Sequence, residues 1–132
     1  MKGVRLTVRV DFGAKRALGP GKIRLLEAVG SFGSISQAGQ SLGMSYRRAW
    51  LLIEDINRCF RDSVVIKKSG GAQGGGASLT PFGEALIKKY RSIESQATVA
   101  AKRQLHDLQT ALRGSARTRT RLKRSIRAAK VR

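Results

Sequence analysis

The sequence predicts a mainly α fold with a small β component (α+β), and three observations predict it. Apolar residues recur at helical spacing through residues 20–60 and again through 81–112. Residues 4–12 alternate strictly between apolar and polar side chains. A short apolar triplet at 64–66 is followed by a glycine-dense stretch and a brief return segment, the pattern of a hairpin. The chain has 132 residues, enough for one small domain and an appendage, and its apolar fraction of 41% can supply a core. It carries 27 Lys and Arg against 8 Asp and Glu, a formal charge of +19, which points to a polyanionic partner. No run approaches the roughly 18 apolar residues of a membrane span. Residues 1–12 alternate instead of forming the apolar block of a secretory signal. Cys59 is the sole cysteine, so neither an internal disulfide nor a CxxC metal site is expected. A cytoplasmic, nucleoid-associated protein follows, without cofactor or metal.

Taking the elements in order, Val4, Leu6, Val8, Val10 and Phe12 alternate with Arg5, Thr7, Arg9 and Asp11, which reads as a half-buried strand. Gly13 to Gly19 is a basic connection, and Pro20 stands at a first helical position. Ile23, Leu25, Leu26, Ala28 and Val29 mark the buried face of a helix that Gly30 and Gly33 end. A short helix to Leu42 follows, capped by Ser34; after Gly43-Met44 a second begins at Ser45 and runs to about Phe60. Two helices joined by a glycine turn form a helix-turn-helix. Ala38 and Gly39 allow the close approach this needs, and Leu42, Met44, Ala49, Leu52, Ile53 and Ile56 supply the shared core.

The start of the second helix is polar and cationic. Ser45, Tyr46, Arg47 and Arg48 are therefore assigned to base edges in the major groove, where the Arg fork matches guanine O6 and N7. Ser34, Ser36 and Gln37, at the start of the first helix, are assigned to the same duplex. Val64-Val65-Ile66 and Ser78-Leu79-Thr80 flank five glycines in the nine residues 69–77, which makes a wing. Its expected backbone contacts are Lys67 and Lys68 at the base with Gln73, Gly74 and Gly75 at the tip. The glycines are not a nucleotide-phosphate loop, because Gly76 leads into Ala77-Ser78-Leu79 and not into Lys-Ser/Thr and a helix.

Thr80 caps and Pro81 opens a helix predicted to run to Leu112, roughly 48 Å at 1.5 Å per residue. Its stripe outruns a domain of this size, so Tyr90, Ile93, Ala97, Ala101, Leu105 and Leu108 are assigned to a homodimer seam. The expected organisation is residues 1–80 as a winged helix-turn-helix domain, 81–112 as a long dimerisation helix and 113–132 as a basic, disordered tail. Residues 1–112 carry 18 basic and all 8 acidic side chains, a net of +10, whereas 113–132 carry 9 basic and no acidic ones, a net of +9. The tail is expected to add salt-sensitive affinity for phosphates.

Catalysis is not expected. His106 is the only imidazole and has no nucleophile beside it in sequence, Glu54 and Asp55 point apart on a helix, and Cys59 reads as a small apolar residue. The rival is a sequence-indifferent architectural or RNA-binding protein dominated by its tail.

The stretch from Gly33 to Tyr90 resembles the N-terminal domain of ModE-type molybdate-responsive transcription regulators, relatives of the LysR winged helix. The residues that carry the likeness are Gly33-Ser34-Ile35-Ser36-Gln37, Gly43-Met44-Ser45-Tyr46, Ala49-Trp50, Ile53 and Asn57. To these are added Gly70-Gly71 with Gly74-Gly75-Gly76, and Leu79-Thr80 with Gly83. The resemblance implies a double-stranded DNA partner, a recognition helix over Ser45–Cys59, a wing over Lys67–Leu79 and a dimerisation helix over Pro81–Leu112. It implies a partly buried Trp50. It also implies a C-terminal pair of small β-barrels that bind molybdate; the sequence stops before such a region, so molybdate sensing is not expected of it.

Overall fold

The computed structural model describes residues 3–13, 15–68 and 76–114. These form two compact units, one of Thr7–Ile93 and one of residues 3–6 with 94–114. In chain order the elements are β1 (Val10–Asp11), β2 (Ala17–Leu18), α1 (Pro20–Phe32), α2 (Ile35–Ser41), α3 (Tyr46–Cys59), β3 (Val65–Lys68), β4 (Gly76–Leu79), α4 (Pro81–Ala100) and α5 (Lys102–Ala111). The fold is an α+β winged helix-turn-helix followed by a long, interrupted C-terminal helix.

The core of the first unit is built by three helices. Ile23, Leu25, Leu26 and Val29 of α1 are fully buried, together with Ala38 of α2 and Ala49, Ile53 and Ile56 of α3. Helix α1 packs on α2, α3 and β4, and α2 packs on α3. Gly39 makes the α2–α3 crossing possible: a Cβ there would lie 2.8 Å from the Ala49 Cβ and 3.4 Å from the Met44 Cγ. Leu42 departs from expectation. It lies at the C-cap of α2 and is exposed, while Met44 and Leu52 are only partly buried.

The caps are those the serines and threonine predict. Ser34 Oγ accepts from the Gln37 N–H (3.2 Å) and Ser45 Oγ from the Arg48 N–H (3.1 Å). Thr80 is buried; its Oγ accepts from the Gly83 N–H at 2.9 Å and donates to the Ser63 carbonyl at 2.6 Å. This joins the foot of the wing to the first turn of α4.

The wing is the antiparallel pair β3–β4, in register Val65↔Leu79, Ile66↔Ser78, Lys67↔Ala77 and Lys68↔Gly76. The N-terminal strand is shorter than its alternation predicts. Residues 4–11 do alternate in burial, but only Val10 and Asp11 find a ladder, with Leu18 and Ala17. Alternation fixes which side chains turn inward; it does not provide a strand partner. The partner β2 is two residues long and lies within the stretch read from sequence as a bare connection. Phe12, Phe60 and Phe82 stack edge to face at 5.4 Å, tying the ends of β1 and α3 to the start of α4.

The long C-terminal helix is broken once. Ala101 has φ −97° and ψ 8°, although its N–H still bonds the Ala97 carbonyl and its own carbonyl accepts from Leu105. In the second unit the Val4 N–H donates to the Gln109 Oε1 at 2.7 Å, which fixes residues 3–6 against α5. Among the described residues no helix is long and apolar enough to cross a membrane.

Candidate nucleic-acid interface

The geometry of α3 sorts its side chains into four stripes, because successive residues turn by about 100°. Ala49, Ile53 and Ile56 face the core. Tyr46 and Trp50 face the wing: Tyr46 lines a crevice of about 130 Å³ with Ser34, Ser36, Lys67, Lys68 and Gly76, and the Lys67 Nζ lies 4.5 Å from the Trp50 ring centre. Arg47 and Leu51 face outward and line an open trough of about 360 Å³ with Ser45, Arg48 and Asp55. Arg48 and Leu52, about 200° from the wing stripe, face the region of the β1–β2 hairpin.

Three stretches that are distant in sequence therefore converge. The start of α2 supplies Ser34 and Ser36, the start of α3 supplies Tyr46, and β3 supplies Lys67 and Lys68. Ser45, Arg47 and Arg48 form the adjoining trough. Tyr46, Arg47, Arg48 and Lys68 are exposed. Both capping serines use Oγ as an acceptor for the helix, which leaves each hydroxyl proton available to a phosphate. Gln37 is exposed but lines neither depression. Gln73, Gly74 and Gly75 lie outside the described residues.

Two assignments change. Lys67 is not a free wing cation, because it pairs with the Glu54 carboxylate while lying over Trp50. It fastens β3 to α3, although both Lys67 and Lys68 are exposed. Tyr90, assigned from its stripe to a dimer seam, is 1% exposed in the body's own core, and its hydroxyl donates to the Val8 carbonyl at 2.5 Å. Of the other seam residues, Ile93 and Leu108 are exposed, whereas Ala97, Ala101 and Leu105 are partly covered.

Asn57 is a site-positioning residue that pattern reasoning did not explain. Its Oδ1 accepts from the Val64 and Val65 N–H groups at 2.7 and 3.1 Å, and its Nδ2 donates to the Val65 carbonyl at 3.2 Å. One amide thereby sets where the wing leaves α3. In the sequence Asn57 is marked only as one of the residues that carry the family likeness; between Ile56 and Arg58 its spacing gives no sign of this role. Elsewhere, among the described residues, no group of three His, Cys, Asp or Glu side chains could hold a metal ion.

No family model matches the chain. It is 38% identical over 90 residues to the molybdenum transport protein ModE of Azotobacter vinelandii, covering 68% of this chain and 33% of that protein. It is 44% identical over 78 residues to the molybdenum-pterin-binding protein MopB of Rhodobacter capsulatus (59% and 29%). With the DNA-binding transcriptional dual regulator ModE of Escherichia coli K12 it shares 41% over 71 residues (54% and 27%). The chain spans about a third of the length of these curated relatives. Over the stretch it shares with them, the chain is similar to ModE-type regulators.

Proposed function

We propose that this chain is the DNA-binding part of a transcription regulator that recognises specific duplex sites as a homodimer. One observation carries the reading: the starts of α2 and α3 and the base of the wing converge on one cationic surface, with Arg47 outermost on α3. Arg47 reads base edges. Ser34, Ser36, Ser45, Tyr46 and Lys68 hold the backbone, with the wing tip, including Gln73, Gly74 and Gly75, alongside it. Lys67 acts through the wing's position. Ile93, Leu108 and the partly covered Ala97, Ala101 and Leu105 pair between copies. Relatives named for molybdenum transport and molybdenum–pterin binding favour target genes of molybdenum metabolism. No catalytic activity is assigned.

The test is competition binding of the full chain to a genomically mapped site and to random duplex across a salt series. A regulator holds its site about a thousandfold or more over random DNA. Arg47→Ala should erase about tenfold or more of that ratio, in line with about 1–3 kcal/mol for a bidentate base contact. Equal competition by random duplex or structured RNA at every salt concentration would instead support the sequence-indifferent binder that the +19 charge allows.

A further inference from the structure

The hairpin flank of α3 holds a cavity to which the proposed DNA contacts give no role. It is an open depression of about 400 Å³ lined by Arg9, Lys15, Lys22 and Arg48 together with Met44 and Leu52. Four cations from three separate stretches meet there, and no carboxylate is among the lining residues. Of the four, Arg9 pairs with Asp11 at 2.9 Å, with both side chains about two-thirds exposed. Such a solvent-screened pair neutralises little of the cavity.

The cations are held in place by local structure. The Lys22 ammonium donates to the Ala17 carbonyl at 2.8 Å, which fixes it against β2 and leaves two protons to offer. Lys15 stands in the turn between β1 and β2 with φ +61°, the one non-glycine residue in the left-handed region among those described. Asn or Gly is the comfortable occupant of such a turn. A lysine there sets a positive charge at the cavity's rim against local preference. Arg48 and Leu52 line both this cavity and the outward trough that holds Arg47 and Asp55, so the two adjoin.

We infer that this cavity seats a backbone phosphate of the bound duplex, on the flank of α3 away from the wing. The β1–β2 hairpin then serves as a second backbone-contacting hairpin, and Arg48 grips phosphate while Arg47 reads bases. The inference rests on the DNA-binding reading and adds a phosphate site to it. The recognition helix is held in the groove from both flanks, by Lys68 on one and by Lys15, Lys22 and Arg48 on the other.

The experiment compares the full chain with a Lys15→Asn/Lys22→Gln variant on the mapped site and on random duplex across a salt series. Lys88→Gln/Lys89→Gln, on the exposed face of α4, is the control. The slope of log K against log salt should flatten by about 0.9 for each phosphate no longer neutralised, by the same amount on both duplexes, with the site-to-random ratio unchanged. In ethylation interference, one or two phosphates outside the Arg47 position should cease to matter. Lys15→Asn alone, a substitution suited to its backbone, should give part of the flattening even if Lys22→Gln loosens the hairpin. A slope unchanged from the control while the parent chain binds its site overturns the inference and leaves the regulator reading intact. A parent chain that prefers no site refutes that reading instead. Inorganic phosphate at constant ionic strength supplies the last arm. If it binds the parent but not the variant while the DNA slope stays fixed, the cavity takes a free anion and the inference falls.

Discussion

The body of residues 7–93 and the helix α5 are made of comparable apolar residues, yet they use them differently. In the body Ile23, Leu25, Leu26, Ile53 and Ile56 are essentially inaccessible to solvent. In α5 no residue is buried, and Leu108 is 58% exposed. The body encloses a core of its own while leaving Phe32, Leu42, Leu51 and Ile66 exposed, whereas among the described residues α5 contributes to no such core. Burial is worth about 25 cal/mol per Å², so the first region is stabilised by its own packing, and in the proposed homodimer the second is stabilised by a second copy.

The sharpest break of this contrast is a paired truncation. Ile53→Ala should cost the body about 3 kcal/mol, read as a fall in the urea midpoint, because a buried side chain leaves a cavity. Leu108→Ala should change stability by less than about 0.5 kcal/mol, while raising the dissociation constant of the proposed homodimer about tenfold in sedimentation equilibrium. A large loss of folding stability in the second variant would show that α5 is held by its own chain. Next in size is Asn57→Ala, which strands the Val64 and Val65 N–H groups. About 2 kcal/mol of stability should go, and amide exchange should quicken in β3 and β4 more than in α1. Uniform exchange through the body would mean that Asn57 does not govern the wing. The smallest effect is expected of Glu54→Gln. It should cost under about 1 kcal/mol of stability. By releasing Lys67 it should tighten binding to random duplex and steepen the salt slope by about 0.9. Weaker binding to every duplex would mean that the locked wing position outweighs one more cation.

Much of this was legible from sequence wherever the signal is local. Ser34, Ser45 and Thr80 announce three helix starts because a side-chain acceptor three residues ahead of an orphan N–H is a short-range event. Gly39 and its neighbours announce the α2–α3 crossing for the same reason. What was not legible depends on what lies opposite. Tyr90 and Leu108 sit in one continuous stripe, and helical spacing cannot distinguish a position that meets the body's own core from one that meets water. Lys67 read as a phosphate contact because its counter-charge, Glu54, lies 13 residues away on another element. The hairpin β1–β2 escaped because two paired residues on each side carry almost no pattern. The interruption at Ala101 has no proline or glycine to announce it.

The neck of the wing has a consequence for how this surface can vary. Val65 pairs with Leu79, and Thr80 reaches back to the Ser63 carbonyl, so the two strands are fastened below the tip whatever the tip contains. Closing a longer loop on an already fastened neck costs only about 0.6 kcal/mol for each doubling of its length. Insertions and deletions between Lys68 and Gly76 are therefore nearly neutral for folding. On the proposed DNA-binding reading, a change of length in this stretch alters contacts with the duplex while the helices beneath stay unaltered.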